Sequence, residues 1–83
     1  MSAPKNNLLQ AIELALAGDW EAAHNLVQQF VGDATAAWIH AVLHKIEGDL
    51  SNSRYWYQRA GRMDHLKDEP RAELAAIKME LSS

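Results

Sequence analysis

The stretch GDLSNSRYWYQRAG, residues 48–61, decides the fold class of this chain. Gly48 is placed to end one helix, because glycine readily adopts the left-handed conformation that follows a helix. Asp49 can begin the next helix by accepting hydrogen bonds from its first free backbone N–H groups. The stretch therefore predicts two helices joined by a tight turn, with the aromatic residues on the second helix.

The same Gly-Asp pair occurs three times and divides the chain into helices. The pairs begin at Gly18, Gly32 and Gly48, and the segment GDWEAAHNLVQQF, residues 18–30, has the layout of residues 48–61 in weaker form. Between the pairs, apolar residues recur at helical spacing, and no segment alternates as a strand would. The three Gly-Asp pairs, each ending one helix and capping the next, predict four helices before residue 64.

A fifth helix is predicted at the C-terminus, where Asp68 can cap it and Leu74, Ile77 and Leu81 form one apolar stripe. The whole chain is thus predicted to be an all-α domain of about five helices. The helices pair as two antiparallel hairpins and a terminal helix that covers one end. The predicted units are a hairpin at 7–31 (helices 7–17 and 20–31), a hairpin at 34–63 (helices 34–47 and 50–63) and the terminal helix at 68–81.

Size and composition restrict the function classes. With 83 residues the chain forms one domain, and the absence of cysteine excludes disulfides and thiolate metal sites. The net charge of −3 argues against nucleic acid as a partner. No apolar run is long enough to span a membrane, and the start of the chain does not look like a signal peptide. The expected location is the cytoplasm.

Residues 48–60 resemble the second helix of a tetratricopeptide repeat, and more closely of its Sel-type relative. The matching positions are Gly48, Asp49, Ser53, Tyr57 and Ala60, and the string WYQRA at 56–60 is especially similar to the Sel-type signature. In the first hairpin Gly18, Asp19 and Ala23 match, whereas Val27 and Phe30 depart from the pattern. The resemblance implies stacked helix pairs that bind a protein or peptide. Because the first hairpin has no capping helix of its own, the sequence also allows a homodimer that covers it.

Two histidines depart from this resemblance. His40 and His44 fall where the repeat family places apolar and small residues, and with Glu47 they lie at i, i+4, i+7 on one helical face. Such a face could bind a metal ion through His40, His44 and Glu47, because histidines four residues apart can both ligate zinc. The alternative is that both rings are hydrogen-bonded to Tyr57, Ser53 or backbone inside the hairpin.

Another stripe on the fourth helix joins an aromatic ring to two guanidinium groups. Tyr55, Arg59 and Arg62 lie at i, i+4, i+7, and arginine binds carboxylates bidentately. The stripe is therefore a candidate contact for an acidic peptide. The alternative is a solvated face whose arginines pair with nearby carboxylates and contribute little to stability.

The sequence thus favours a protein-interaction module of tetratricopeptide-like type, with no catalytic motif and no cofactor. The candidate binding residues are His40, His44, Tyr55, Tyr57, Arg59 and Arg62. The alternative function is binding of a small molecule or metal ion at a site centred on His40 and His44. A third interpretation is a structural subunit of a larger complex. The histidines elsewhere in the chain, His24 and His65, are expected at the surface.

Overall fold

A computed structural model describes residues 3–83, and within this range the chain forms five α-helices and no strand. The predicted all-α fold of about five helices is confirmed. Short 3-10 turns follow α2 and α4, at Gln28–Phe30 and Met63–His65. The helices are α1 (Lys5–Leu16), α2 (Trp20–Val27), α3 (Ala34–Glu47), α4 (Leu50–Ala60) and α5 (Pro70–Ser82).

The turn between α3 and α4 has the geometry that its sequence predicts. Gly48 has a φ of 87°, in the left-handed region that favours glycine. The N–H of Asp49 donates to the carbonyl of His44 at 2.9 Å, which closes the end of α3. The Asp49 carboxylate then accepts from the backbone N–H of Asn52 at 3.3 Å and caps α4. Gly48 and Asp49 therefore determine the conformation of this turn.

Two predicted helices end earlier than expected. α2 ends at Val27, and residues 28–30 tighten into a 3-10 turn, so Gly32 does not end this helix. α4 ends at Ala60 rather than at residue 63, because Gly61 adopts a left-handed φ of 71° and turns the chain away. This early end changes where the side chains after residue 60 point.

The predicted cap of α5 was wrong by one residue. Glu69, not Asp68, is the N-cap, and its carboxylate accepts from the backbone N–H groups of Arg71 and Ala72. Asp68 is instead bonded to the Nδ1 atom of His65, with its Oδ2 atom at 2.7 Å. The preceding 3-10 turn is thereby tied to the start of α5.

α3 is the central helix of the fold and contacts each of the other four helices. Its residues from Ala36 to His44 are all buried, as expected for a helix that is apolar on almost every side. None of the helices within residues 3–83 has the length and apolarity needed to cross a bilayer.

α5 packs against both α1 and α3, with Leu74 and Ile77 fully buried. The predicted apolar stripe of α5 is therefore confirmed. The expectation that the first hairpin has no covering helix was wrong, because α5 lies on α1 as well. An uncovered first hairpin is therefore not a reason to expect a homodimer.

Candidate functional site

Three histidines from two helices meet in one cluster, which we call the histidine cluster. α2 supplies His24, and α3 supplies His40 and His44, which share a face because they are four residues apart. The ring centroids of His40 and His44 are 4.9 Å apart. One ring nitrogen of each histidine lies within 4.8 Å of those of the other two. The cluster thus brings three ring nitrogens within 4.8 Å of one another between α2 and α3.

The closest approach in the histidine cluster joins two ring nitrogens. Nε2 of His24 and Nε2 of His40 are 3.1 Å apart, a hydrogen bond in which one nitrogen carries a proton and the other accepts it. Two imidazole nitrogens bound to one tetrahedral zinc ion would lie about 3.4 Å apart, given Zn–N bonds of about 2.0–2.1 Å. The spacing of this pair is therefore close to that of two ligands on one metal ion.

The outward nitrogens of two of these rings have polar partners. The side-chain amide of Gln28 lies 2.7 Å from Nδ1 of His24. A carboxylate oxygen of Glu47 lies 2.9 Å from Nδ1 of His44. Metal-binding histidines commonly have such partners on the nitrogen that does not face the ion. The nitrogen left for a ligand on His44 is therefore Nε2.

Two tryptophan rings flank the histidine cluster. The ring of Trp20 stacks on His24 at 4.6 Å, and the ring of Trp56 stacks on His40 at 3.9 Å. Trp20 is fixed in turn, because its Nε1–H donates to the carbonyl of Leu43 at 2.6 Å. These contacts from α2 and α4 hold the imidazole rings in place. The rings therefore lose little conformational freedom when a ligand binds.

Burial keeps two rings of the histidine cluster, those of His24 and His40, uncharged at pH 7. His40 is only 5% exposed, and burial, reinforced by the neighbouring His24 and His44, lowers its pKa from 6.5 to about 3. The pKa of His24 is also lowered, first by partial burial and then by His44. Both imidazoles are therefore neutral at pH 7, which is the form that binds metal ions.

The predicted partners of His40 and His44 were wrong. Ser53 donates to the carbonyl of Ala41 at 2.7 Å rather than to a histidine. Tyr57 is fully buried, and its hydroxyl donates to the carboxylate of Glu73 at 2.6–2.7 Å. This places the phenol in a separate network.

That network, which we call the Glu73 network, is buried between α3, α4 and α5. The Glu73 carboxylate also accepts from Nε1 of Trp38 at 2.8 Å and from Nζ of Lys45 at 2.7 Å. Burial, and then the bond to Glu73, raise the pKa of the Tyr57 phenol. Lys45 makes further bonds to the carbonyls of His65, Leu66 and Asp68. These contacts assign Tyr57 and Lys45 to the packing of α5.

The predicted stripe of Tyr55, Arg59 and Arg62 is not continuous, because Arg62 does not join the other two residues. Tyr55 is 49% exposed, and Arg59 donates to its hydroxyl at 3.3 Å. Arg62 instead bonds Glu80 at 2.7 Å, and its guanidinium lies 4.2 Å from the ring centroid of Trp38. The reason is the early end of α4 at Gly61, which moves Arg62 off the helical stripe.

His24 and His65, both expected at the surface, are each half-buried. His24 is the member of the histidine cluster that the sequence analysis missed. A signal for it exists in the sequence: Trp20, His24 and Gln28 are spaced i, i+4, i+8, which places them on one face of the predicted helix 20–31. Which helix that face meets depends on tertiary packing, and the periodicity of α2 does not specify it.

Comparisons with protein-family models, curated proteins and solved structures found no match to this chain. We therefore infer the function of this chain from the geometry of its own residues.

Proposed function

We propose that the protein binds a divalent transition-metal ion of the zinc class through His24, His40 and His44. The observation that carries this proposal is the convergence of three ring nitrogens within 4.8 Å of one another. The lowered pKa values of His24 and His40 support it, because a neutral imidazole has one unprotonated nitrogen whose lone pair can bind an ion, whereas an imidazolium has none.

Imidazole nitrogen is a ligand type suited to zinc, copper and nickel, whereas calcium and magnesium prefer oxygen. Three protein ligands on zinc leave a fourth position for water or an external ligand. Because His24 is half-buried while His40 and His44 are buried, the His24 side of the cluster is the side nearer to solvent. We place the fourth ligand on that side.

Zinc is expected to bind the metal-free, untagged protein at one ion per chain and to raise its melting temperature. A ligand at 100 times its Kd stabilises a folded protein by about 2.7 kcal/mol, which is roughly 10–20 °C for a chain of this size. Calorimetric titration measures the stoichiometry, and a thermal scan measures the shift.

His24→Asn is the decisive variant, because this residue is half-buried and lies on α2 rather than in the centre of α3. It is expected to remove most of the zinc-dependent shift, as are His40→Ala and His44→Ala. His65→Asn is the matched control, since His65 lies outside the histidine cluster. Zinc binding by His24→Asn with wild-type affinity would refute the proposal.

A second candidate function, binding of an acidic peptide, is favoured by the exposed pair of Tyr55 and Arg59 on α4. The Arg59 guanidinium lies 5.7 Å from the ring centroid of Tyr55 and 5.3 Å from that of Trp56. A guanidinium ordered in this way on aromatic rings loses little freedom when it binds a carboxylate. The resemblance to tetratricopeptide repeats supports the same kind of partner.

Arg59→Glu is expected to abolish binding of acidic peptides on a peptide array while the far-UV circular dichroism spectrum stays unchanged. The binding signal is expected to fall at least 10-fold, because the substitution changes an attractive contact between opposite charges into a repulsive contact between like charges. Arg71→Glu, a charge reversal on α5, is the control. Equal binding by wild-type protein and Arg59→Glu would exclude this surface.

A further inference from the structure

The orientation of the His44 ring is set by one carboxylate. Oε1 of Glu47 lies 2.9 Å from Nδ1 of His44, and the two residues are three positions apart in the last turn of α3. A neutral imidazole can carry its proton on either nitrogen. An ionised carboxylate can only accept a hydrogen bond, so Nδ1 of His44 carries the proton. In the neutral ring the Nε2 atom is then left with a free lone pair.

We infer that Glu47 is a positioning residue of the proposed metal site, acting through His44 and not as a ligand. This inference rests on the metal-binding function proposed above. Glu47 holds His44 in the tautomer whose bare Nε2 can join the nitrogens of His24 and His40. The carboxylate also makes the ring a better electron donor toward an ion, as histidine–carboxylate pairs do in other metal sites.

The surroundings of Glu47 argue against a direct role as ligand. Glu47 and Asp49 bring carboxylate oxygens within 4.8 Å of a His44 nitrogen, which is a second arrangement that could hold an ion. However, Asp49 is already used in capping α4, with its oxygens bonded to the backbone and side-chain nitrogens of Asn52. Glu47 is likewise bonded to the His44 ring. An ion held there would have to displace both sets of bonds.

Gln28 performs a different role at His24. Its amide carries both a donor and an acceptor, so by rotating it can partner either tautomer of the ring. In the observed arrangement the amide nitrogen faces Nδ1 of His24, which leaves Nε2 as the proton donor to His40. Ion binding therefore requires rotation of the Gln28 amide, whereas His44 is already in the required form. Of these two partners, Glu47 imposes a tautomer on its histidine and Gln28 does not.

The test compares Glu47→Gln with Asp49→Asn. Each removes one carboxylate of the same group, and asparagine retains the capping function at position 49. In metal-free protein, 15N chemical shifts of the His44 ring should show a protonated Nδ1 and a bare Nε2 in wild type and Asp49→Asn. Glu47→Gln should show a mixture of tautomers. Zinc affinity, measured by chelator competition, should fall about 10–100-fold in Glu47→Gln and stay near wild type in Asp49→Asn.

An unchanged His44 tautomer and unchanged zinc affinity in Glu47→Gln would overturn the inference. Equal losses of zinc affinity in Glu47→Gln and Asp49→Asn would also overturn it, in favour of direct ligation by the carboxylates. If wild-type protein binds no zinc while the His44 tautomer still shifts in Glu47→Gln, the metal-binding function fails and Glu47 is confirmed as the group that orients His44. The two failures are therefore distinguishable.

Discussion

Replacing Glu73 by alanine is expected to lower the free energy of unfolding by about 3–5 kcal/mol, the usual cost of removing one partner of a buried ion pair. The Glu73 carboxylate accepts hydrogen bonds from Trp38, Lys45 and Tyr57 and is 2% exposed. Its removal leaves the Lys45 ammonium, whose side chain is only 11% exposed, without a counter-charge. It also leaves two buried donors without their acceptor. Urea denaturation followed by circular dichroism measures the loss.

Glu80→Ala is the matched control for this prediction. It makes the same change on α5, but Glu80 is exposed and pairs with Arg62 near the surface, so a loss of less than about 1 kcal/mol is expected. Tyr57→Phe gives an intermediate case, because it removes one hydrogen-bond donor and leaves Lys45 paired; the expected cost is about 1–3 kcal/mol. A Glu73→Ala protein as stable as Glu80→Ala would show that the network does not hold α5 in place.

Lowering the pH from 7 to 5 is expected to destabilise the metal-free protein by about 2 kcal/mol through His40 alone. The pKa of His40 is about 3 in the folded protein and 6.5 when unperturbed. Below pH 6.5 the unfolded chain therefore takes up a proton that the folded chain does not, so stability falls with pH. The fall continues until the pH reaches the folded pKa. Urea denaturation at several pH values, in the presence of a chelator, gives the profile.

The charged and titratable groups around His40 come from three helices. α2 contributes His24, α3 contributes His44 and Glu47, and α4 contributes Arg59 over the Trp56 ring. The lowered pKa of His24 acts in the same direction as that of His40. His40→Gln should therefore retain only the smaller part of the pH dependence, which His24 supplies. His65→Gln should retain all of it, and identical profiles for His40→Gln and wild type would contradict the assignment.

Features set by neighbouring residues could be predicted from the sequence. The turn at Gly48 and Asp49 depends on one left-handed glycine and one capping carboxylate, so its signal lies in two adjacent residues. The buried stripe of Leu74 and Ile77 follows from helical periodicity in the same way. These local signals were sufficient to give the number of helices and the fold class.

Features that depend on distant contacts could not be predicted in this way. From the sequence alone, Glu73 would be predicted to be an exposed glutamate on a helix. In the structure, Trp38, which is 35 residues away, donates a hydrogen bond to it. His24 joins His40 only through the way α2 packs on α3. Arg62 was assigned to a stripe that exists only if α4 continues past Ala60. In each case the sequence specifies the side chain, and its partner is set by tertiary packing.

The central position of α3 has a consequence for how the chain can come apart. Because α3 contacts each of the other four helices, no group of helices retains a complete core once α3 separates from it. A cut at the turn of Gly48 and Asp49 would separate α3 from α4 and α5, and with them Lys45 from Glu73. We therefore expect residues 3–83 to unfold as one cooperative unit, and a chain cut at this turn to lose the core that its two parts share.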